Sequence, residues 1–158
     1  MPEEHQAPKQ ITPKALGDYL EVMSKAVFQT GISWRVVDNK WPGIRVAFKG
    51  FDADKVARMG VAEIDKLTAD TRVIRNRRKI EAIVENANRM VQLEREHGSF
   101  RKYLRSQADF EALVKDLRKQ FKFLGDTGCY VFLYVVREKV PGYEEWRASR
   151  GESARKKR

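Results

Sequence analysis

The sequence predicts an all-α protein, and three observations favour this class. Apolar residues recur every three or four positions along most of the chain, which is typical of amphipathic helices. Capping residues and glycines stand where these patterns begin and end. A single apolar run, "GCYVFLYVV" at residues 128–136, has the β-branched and aromatic composition of a buried strand. Because no second run of that kind exists to pair with it, we predict that it forms a buried helix.

The first helical pattern follows a capping signal at Thr12 and Pro13 and stops at Gly31. Its apolar face consists of Leu16, Leu20, Met23 and Val27. A second, short helix is predicted from Ser33 to Asn39, because Pro42 should break it.

Capping residues and apolar spacing in the middle of the chain predict three further helices. Asp52 is placed to cap "ADKVARM", which ends at Gly60, and "VAEIDKL" follows directly. The longest pattern begins near Asn76 and is closed by Gly98. Its shared apolar face consists of Ile80, Ile83, Val84, Ala87 and Val91.

Two helices joined by a tight turn are predicted between Glu111 and Val136. An amphipathic helix over about residues 108–119 leads into "FKFLGDTG", and the buried helix follows. Such a turn exposes backbone N–H groups at the start of its second helix, where a phosphate can bind without reading base sequence. A plain helical hairpin with Gly125 in its turn explains the same pattern, and both interpretations stay open here.

Composition indicates a basic soluble protein. The chain has 158 residues, enough to form a hydrophobic core without disulfides or structural metals, and 42% of the residues are hydrophobic. The formal net charge is +10, with 32 Lys and Arg against 22 Asp and Glu, which favours polyanions as partners. The single Cys129 excludes a disulfide framework. The beginning "MPEEHQAPKQ" has no signal-peptide pattern, so we expect a bacterial cytoplasmic, nucleoid-associated protein without a membrane partner.

We divide the chain into a flexible N-terminus over residues 1–11, one helical domain over residues 12–146 and a basic C-terminal tail over residues 147–158. The tail ends in four consecutive basic residues and contains nothing apolar to hold it down. It is either frayed and solvated or in contact with phosphate.

Three segments, taken together, resemble one known family. They are "FQTGISW" at residues 28–34, "VIRNRRKIEAIVENA" at residues 73–87 and "FKFLGDTGCYVFLYVV" at residues 121–136. In order and spacing they resemble segments of the DNA-3-methyladenine glycosylase I family, a branch of the helix-hairpin-helix DNA glycosylases, over about residues 15–137. The resemblance implies an all-helical fold with a cleft between two lobes. It also implies that an alkylated base is flipped out of double-stranded, damaged DNA and its N-glycosidic bond hydrolysed.

The resemblance assigns Trp34 to the extruded base. An N3-methylated adenine is positively charged, so an indole face would attract it by stacking and by a cation–π interaction of about 1–3 kcal/mol together. Trp34 would otherwise be a core residue. Gln29 and Ser33 lie in the same segment, where they would contact base or backbone, or else satisfy a helix end.

The same resemblance assigns two groups of residues to the DNA backbone. The hairpin group consists of Gly125, Asp126, Thr127 and Gly128. The basic group consists of Arg75, Arg77, Arg78 and Lys79. A charge run at a helix start is also typical of a merely solvated surface.

The chain departs from the family at three places. The functional glutamate of the family stands three residues before the Gln of its "QxGxSW" segment, where this chain has Ala26. The family's zinc needs two Cys and two His near the chain ends, whereas this chain offers Cys129, His5 and His97 at other places. We therefore predict no metal and no cofactor. The aromatic N-terminal arm of the family's base pocket is also missing.

Other carboxylates are weak catalytic candidates. Glu21 lies in the same helix as Ala26, Asp38 follows Trp34 by one turn, and Glu145 lies 20 residues after Gly125. A cationic purine is a good leaving group, so a site that only positions it would still accelerate hydrolysis. We therefore expect a monomeric glycosylase for alkylated purines of the 3-methyladenine type. The alternatives are a catalytically inactive DNA-binding module of the same fold, or a basic helical protein that binds RNA or another protein.

Overall fold

The computed structural model describes residues 8–156, with side-chain surroundings for residues 8–150. Within these residues the chain is helical and contains no strand, as predicted. The α-helices are α1 Leu16–Gln29, α2 Trp34–Ala47, α3 Ala53–Ala57, α4 Val61–Ala69, α5 Arg77–His97, α6 Phe100–Leu104, α7 Phe110–Gln120, α8 Asp126–Val135 and α9 Tyr143–Lys156, and a 3₁₀ turn covers Lys49–Phe51. In the described range no helix combines the length and the apolar character that crossing a bilayer requires.

Helix α5 is the longest element, at 21 residues, and it organises the others. The Asn76 side chain caps its start by accepting a hydrogen bond from the Lys79 N–H, and Gly98 ends it at a φ of 89°. The predicted bounds of this helix are therefore confirmed. Its apolar face packs against α1, α3, α4 and α6, so that most of the hydrophobic core surrounds it.

The apolar run at residues 128–136 is helical, as predicted. Cys129, Phe132 and Leu133 of α8 are fully buried, because α8 packs against α1 as well as against α7. A helix that is apolar all round is stable only when it is enclosed in this way. The turn before it contains Phe123, a half-exposed aromatic residue with a φ of 57°, which is uncommon for a residue other than glycine.

The prediction for α2 is wrong in length. The helix starts directly after Ser33, but it continues through Pro42 to Ala47. Proline removes one backbone hydrogen bond and disfavours a helix interior. Here Val37 and Ile44, two turns apart on one face, are both fully buried, and this packing outweighs the local effect of the proline.

The N-terminal boundary also differs from the prediction. Helix α1 begins at Leu16, and the Asp18 carboxylate accepts hydrogen bonds from the backbone N–H groups of Lys14 and Ala15. The predicted capping signal at Thr12 lies before the helix. Residues 1–7 are outside the described part, but Ile11 donates its N–H to the Val135 carbonyl at 2.8 Å. The last residue of the segment predicted to be flexible is therefore bonded to the end of α8, whereas the prediction for residues 1–7 lies outside the described residues.

Helix α9 was not predicted. It covers Tyr143–Lys156, so residues 147–156 belong to a helix and not to a frayed tail. Trp146 is buried, because its ring stacks on Tyr130 of α8 with 4.5 Å between the centroids. The Tyr130 hydroxyl donates to the Pro141 carbonyl at 2.5 Å, which fixes the approach of α9 to α8. The side chains of residues 151–158 lie outside the described residues.

Candidate nucleic-acid interface

Lys79 connects the second of the three family-like segments to the first. Its side chain is only 4% exposed, and its ammonium group donates hydrogen bonds to the carbonyls of Phe28 and Thr30. These carbonyls belong to the end of α1, where helix carbonyls lack partners and the helix dipole favours a cation. Burial lowers the pKa of Lys79. The sequence-based assignment of Lys79 to the DNA backbone is therefore corrected, because the side chain is enclosed and already bonded.

Asn86 connects the second segment to the third. It is 2% exposed, and it lies two turns after Lys79 on α5. Its amide nitrogen donates to the Lys122 carbonyl at 3.1 Å, and its oxygen accepts the Lys122 N–H at 2.8 Å. This pair of bonds holds the start of the α7–α8 hairpin against α5.

Ala26 faces the hairpin helix directly. A Cβ atom added at Gly128 would lie 3.9 Å from the Ala26 Cβ and 3.3 Å from a methyl carbon of Leu124. Helices α1 and α8 therefore meet at the position where the family resemblance expects a glutamate. Together with the contacts of Lys79 and Asn86, this packing brings all three segments to one place in the fold.

Trp34 is on the surface and not in the core. It is the first residue of α2, and 44% of it is exposed. The guanidinium carbon of Arg35 lies 5.6 Å from the centroid of a Trp34 ring, so the cation–π contact uses part of one indole face. This exposure rules out core filling, the alternative that the sequence left open. The stacking role stays a prediction.

Gln29 and Ser33 have different positions in the turn between α1 and α2. The Ser33 hydroxyl accepts the Arg35 N–H at 3.2 Å and so caps α2, which supports the helix-end alternative for this residue. Gln29 is the last residue of α1 and is partly buried. Within the described range its side chain makes no hydrogen bond, so it is the better candidate to contact a base.

The three arginines of the basic group are all exposed, but they differ in their partners. Arg77 forms an ion pair with Asp65 at 2.6 Å and a weaker one with Glu81 at 3.8 Å. No ion pair or hydrogen bond joins Arg75 or Arg78 to another residue between positions 8 and 150. Arg75 and Arg78 thus remain the stronger candidates for a phosphate contact.

The hairpin combines exposed backbone with an unexpected charge cluster. Gly125 caps α8 and is exposed, as is Thr127. The first N–H groups of a helix have no partner within the helix, so those of α8 are available to a ligand. Asp126 accepts a hydrogen bond from Arg118 at 2.9 Å and forms an ion pair with Arg150 of α9. The carboxylate is therefore held by two guanidinium groups, which reduces its repulsion of an incoming phosphate.

These contacts predict an acid-dependent contribution to stability. Burial raises the pKa of Asp126, but the hydrogen bond from Arg150 and the charges of Arg150 and Arg118 lower it more, to below the ordinary value of 3.8. The ion pairs therefore stabilise the fold above pH 3.8 and lose this contribution as the pH falls through the folded-state pKa. We expect the stability advantage of the wild type over Asp126→Asn to shrink below pH 3.8, as measured by urea unfolding. An advantage that stays constant with pH would contradict these pairs.

Two of the three alternative carboxylates are used in structural contacts. Glu21 accepts the Trp41 indole N–H at 2.9 Å and lies five residues before Ala26, on a different face of α1. Asp38 forms an ion pair with Lys25 at 2.6 Å beside an open groove of about 710 Å³. Both contacts join α1 to α2, which is a structural role. Glu145 is exposed in the first turn of α9.

The potential zinc ligands do not meet among the described residues. Burial raises the pKa of the Cys129 thiol to about 12, and the charge of Asp126 adds to this effect, so the thiol is neutral. His97 packs edge-on against Tyr103, and His5 lies outside the described part. Between residues 8 and 150 no group of three or more His, Cys, Asp or Glu residues is arranged to hold a metal. The expected absence of zinc remains a prediction.

Sequence reasoning did not single out Asn86, Arg118 or Arg150, although Arg150 belongs to the tail for which contact with phosphate was left open. A signal for Asn86 was present, because Lys79, Ile83, Asn86 and Met90 follow helical spacing and share the buried face of α5. Polar residues in that register indicate buried tertiary hydrogen bonds. No comparable local signal existed for Arg150, whose position depends on where α9 docks.

The fold and the convergence of the three segments define a helical protein of the helix-hairpin-helix DNA glycosylase class. The sequence matches the methyladenine glycosylase family over residues 17–118, which is more than half of the chain. The chain belongs to this family. This match ends before the hairpin turn.

Individual relatives support the same placement. The chain is 33% identical to DNA-3-methyladenine glycosylase 1 of Escherichia coli, with 72% of this chain and 74% of the relative covered. It is 30% identical to DNA-3-methyladenine glycosylase of Haemophilus influenzae, with 66% and 68% covered. A solved structure of 3-methyladenine DNA glycosylase I from Staphylococcus aureus superposes with a TM-score of 0.70 at 26% identity, covering 81% of this chain and 79% of that one.

Proposed function

We propose that this protein binds double-stranded DNA and excises alkylated purines of the 3-methyladenine type by hydrolysing the N-glycosidic bond. One observation carries the proposal: Lys79 and Asn86 of α5 hold the Trp34 segment and the hairpin together. A base-stacking residue and a backbone-gripping turn are needed side by side when a nucleotide is rotated out of the duplex. Family membership supplies the reaction class.

In this proposal the N–H groups in the first turn of α8 bind a phosphate, with Arg75 and Arg78 on neighbouring phosphates. Trp34 stacks on the extruded base, and Gln29 forms a hydrogen bond with it. No carboxylate stands at Ala26, so catalysis relies on extrusion, stacking and access of water to the sugar. A base that already carries positive charge leaves under these conditions, whereas a neutral base requires a proton donor.

The test is release of free base from methylated duplex DNA by the wild type and by Ala26→Glu. We expect the wild type to release 3-methyladenine and Ala26→Glu to release it roughly 10²-fold faster, the lower end of the range for a positioned acid or base. The new carboxylate would stand beside the first turn of α8, where the helix dipole stabilises its anionic form. Ala26→Gln, which adds similar volume without charge, should stay at the wild-type rate.

Three outcomes separate the alternatives. Release by the wild type supports the proposed function. Release by Ala26→Glu but not by the wild type means that the base-binding site is present but the wild type is not catalytically active, which is the inactive-module alternative. If neither protein releases a base, the proposed excision is wrong, and the additional absence of binding to duplex DNA would exclude the DNA-binding alternative as well.

A further inference from the structure

The basic C-terminal helix α9 is joined to the hairpin by a specific set of contacts. Trp146 stacks on Tyr130 of α8, and one helical turn later Arg150 lies over the Trp146 ring at 5.1 Å. Arg150 then reaches Asp126, the first residue of α8. The sequence alone left open whether this end of the chain is merely solvated, but these contacts place Arg150 at the hairpin turn.

The cluster formed by Arg118, Asp126 and Arg150 has an excess of one positive charge. Both guanidinium groups are exposed, with 53% of the Arg118 side chain and 43% of the Arg150 side chain accessible, whereas that of Asp126 is 23% accessible. Each guanidinium carries five N–H donors, and one carboxylate occupies only a few of the ten. Among the described residues the remaining donors of these two side chains make no other hydrogen bond.

We propose that Arg118 and Arg150, aligned by Asp126, contact the phosphate backbone of duplex DNA, so that helix α9 extends the DNA-binding surface of the hairpin. This inference rests on the proposed function, because it takes duplex DNA as the ligand. The anchored position of both side chains lowers the entropy lost when they bind a phosphate oxygen. A guanidinium also matches phosphate geometry better than an ammonium does. Beyond Arg150 the sequence continues with Arg155, Lys156, Lys157 and Arg158, which add charge of the same sign.

The simplest competing role for Arg150 is to neutralise Asp126. A double variant separates the two roles, because Asp126→Asn combined with Arg150→Gln removes both charges and leaves the net charge of the protein unchanged. If Arg150 only neutralises Asp126, this double variant binds DNA like the wild type. If Arg150 contacts a phosphate, the double variant stays weaker.

The experiment measures binding to an undamaged labelled duplex over a range of salt concentrations. Each lost phosphate contact reduces the slope of log K against log salt by about 0.9. We expect this reduction, with severalfold weaker binding at physiological salt, for Arg150→Gln and for the double variant. Arg95→Gln is the matched control, since it removes an exposed arginine about 27 Å along α5 from Arg77. Helicity and melting temperature are recorded for each variant to establish that it is folded.

The outcomes distinguish this inference from the function on which it rests. A wild type that binds duplex DNA without salt dependence contradicts the proposed DNA binding itself. If the wild type and Arg95→Gln bind with the same steep slope, DNA binding stands. In that case a double variant with wild-type affinity and slope overturns the role of Arg150, and a slope lowered by about 0.9 supports it.

Discussion

Replacing Lys79 by methionine should lower the free energy of unfolding by about 2 kcal/mol. Methionine keeps most of the volume but leaves the carbonyls of Phe28 and Thr30 without a donor at the end of α1. An unsatisfied buried polar group costs about 1–3 kcal/mol, and removing a buried charge offsets part of that cost. Urea unfolding of the two proteins at neutral pH measures the difference.

The matched control is Arg78→Met, one residue earlier in the same basic run. Arg78 is exposed, so its replacement should change stability by less than about 0.5 kcal/mol. For DNA binding we expect the opposite order of effects. The slope of log K against log salt should be reduced for Arg78→Met and unchanged for the folded Lys79→Met protein. If both variants are equally stable and Lys79→Met has the reduced salt slope of DNA binding, Lys79 contacts the DNA backbone after all.

This contrast shows why the basic run was only partly interpretable from sequence. The four basic residues of this run carry the same charge and lie close together in the sequence. A charge run at a helix start predicts either solvation or phosphate binding, so the sequence does not distinguish Arg75, Arg77, Arg78 and Lys79. Their separation depends on the register of α5, which points Lys79 at the end of α1 and Arg78 at solvent. The register was readable from the sequence, but the partner of Lys79 came from a segment about 50 residues away.

Helices whose bounds depend on neighbouring residues were predicted correctly, whereas a helix whose bounds depend on tertiary packing was not. The bounds of α5 were predictable, because Asn76 and Gly98 act on the residues beside them. The helical state of α8 was predictable for a different reason, since the chain offered no partner strand. The continuation of α2 through Pro42 was not predictable, because it depends on the buried environment of Val37 and Ile44.

Contacts made by the two ends of the chain were also not predictable from sequence, because they depend on tertiary structure. Nothing in the sequence near Ile11 indicates that its N–H would bond to Val135, and nothing near Trp146 indicates that it would stack on Tyr130. Both contacts form only after α8 is in place. The resemblance to the family therefore located the central segments, whereas the contacts of the terminal elements required the structure.

Replacing Trp34 by alanine should leave the protein folded and remove its preference for alkylated DNA. The indole is 44% exposed at the start of α2, so we expect a loss of stability below about 1 kcal/mol. Base–aromatic stacking contributes about 1–3 kcal/mol, which corresponds to a preference reduced by roughly 5- to 150-fold. Affinity for undamaged duplex should change little, because phosphate contacts provide it. Thermal melting and titration of labelled duplexes with and without a methylated purine measure these quantities.

Trp41→Ala is the control that separates stacking on a base from packing in the protein. Trp41 lies parallel to Phe51 with 5.3 Å between the ring centroids, and its N–H donates to Glu21. Trp41 is partly buried against the core, so its removal should cost about 3 kcal/mol, the lower end of the range for replacing a core aromatic residue by alanine, while the folded fraction keeps its preference for the lesion. The two variants should therefore be opposite in effect, with discrimination lost in one and stability lost in the other. If Trp34→Ala melts as low as Trp41→Ala and the remaining folded protein still discriminates, the base is bound by other residues and Trp34 serves the fold alone.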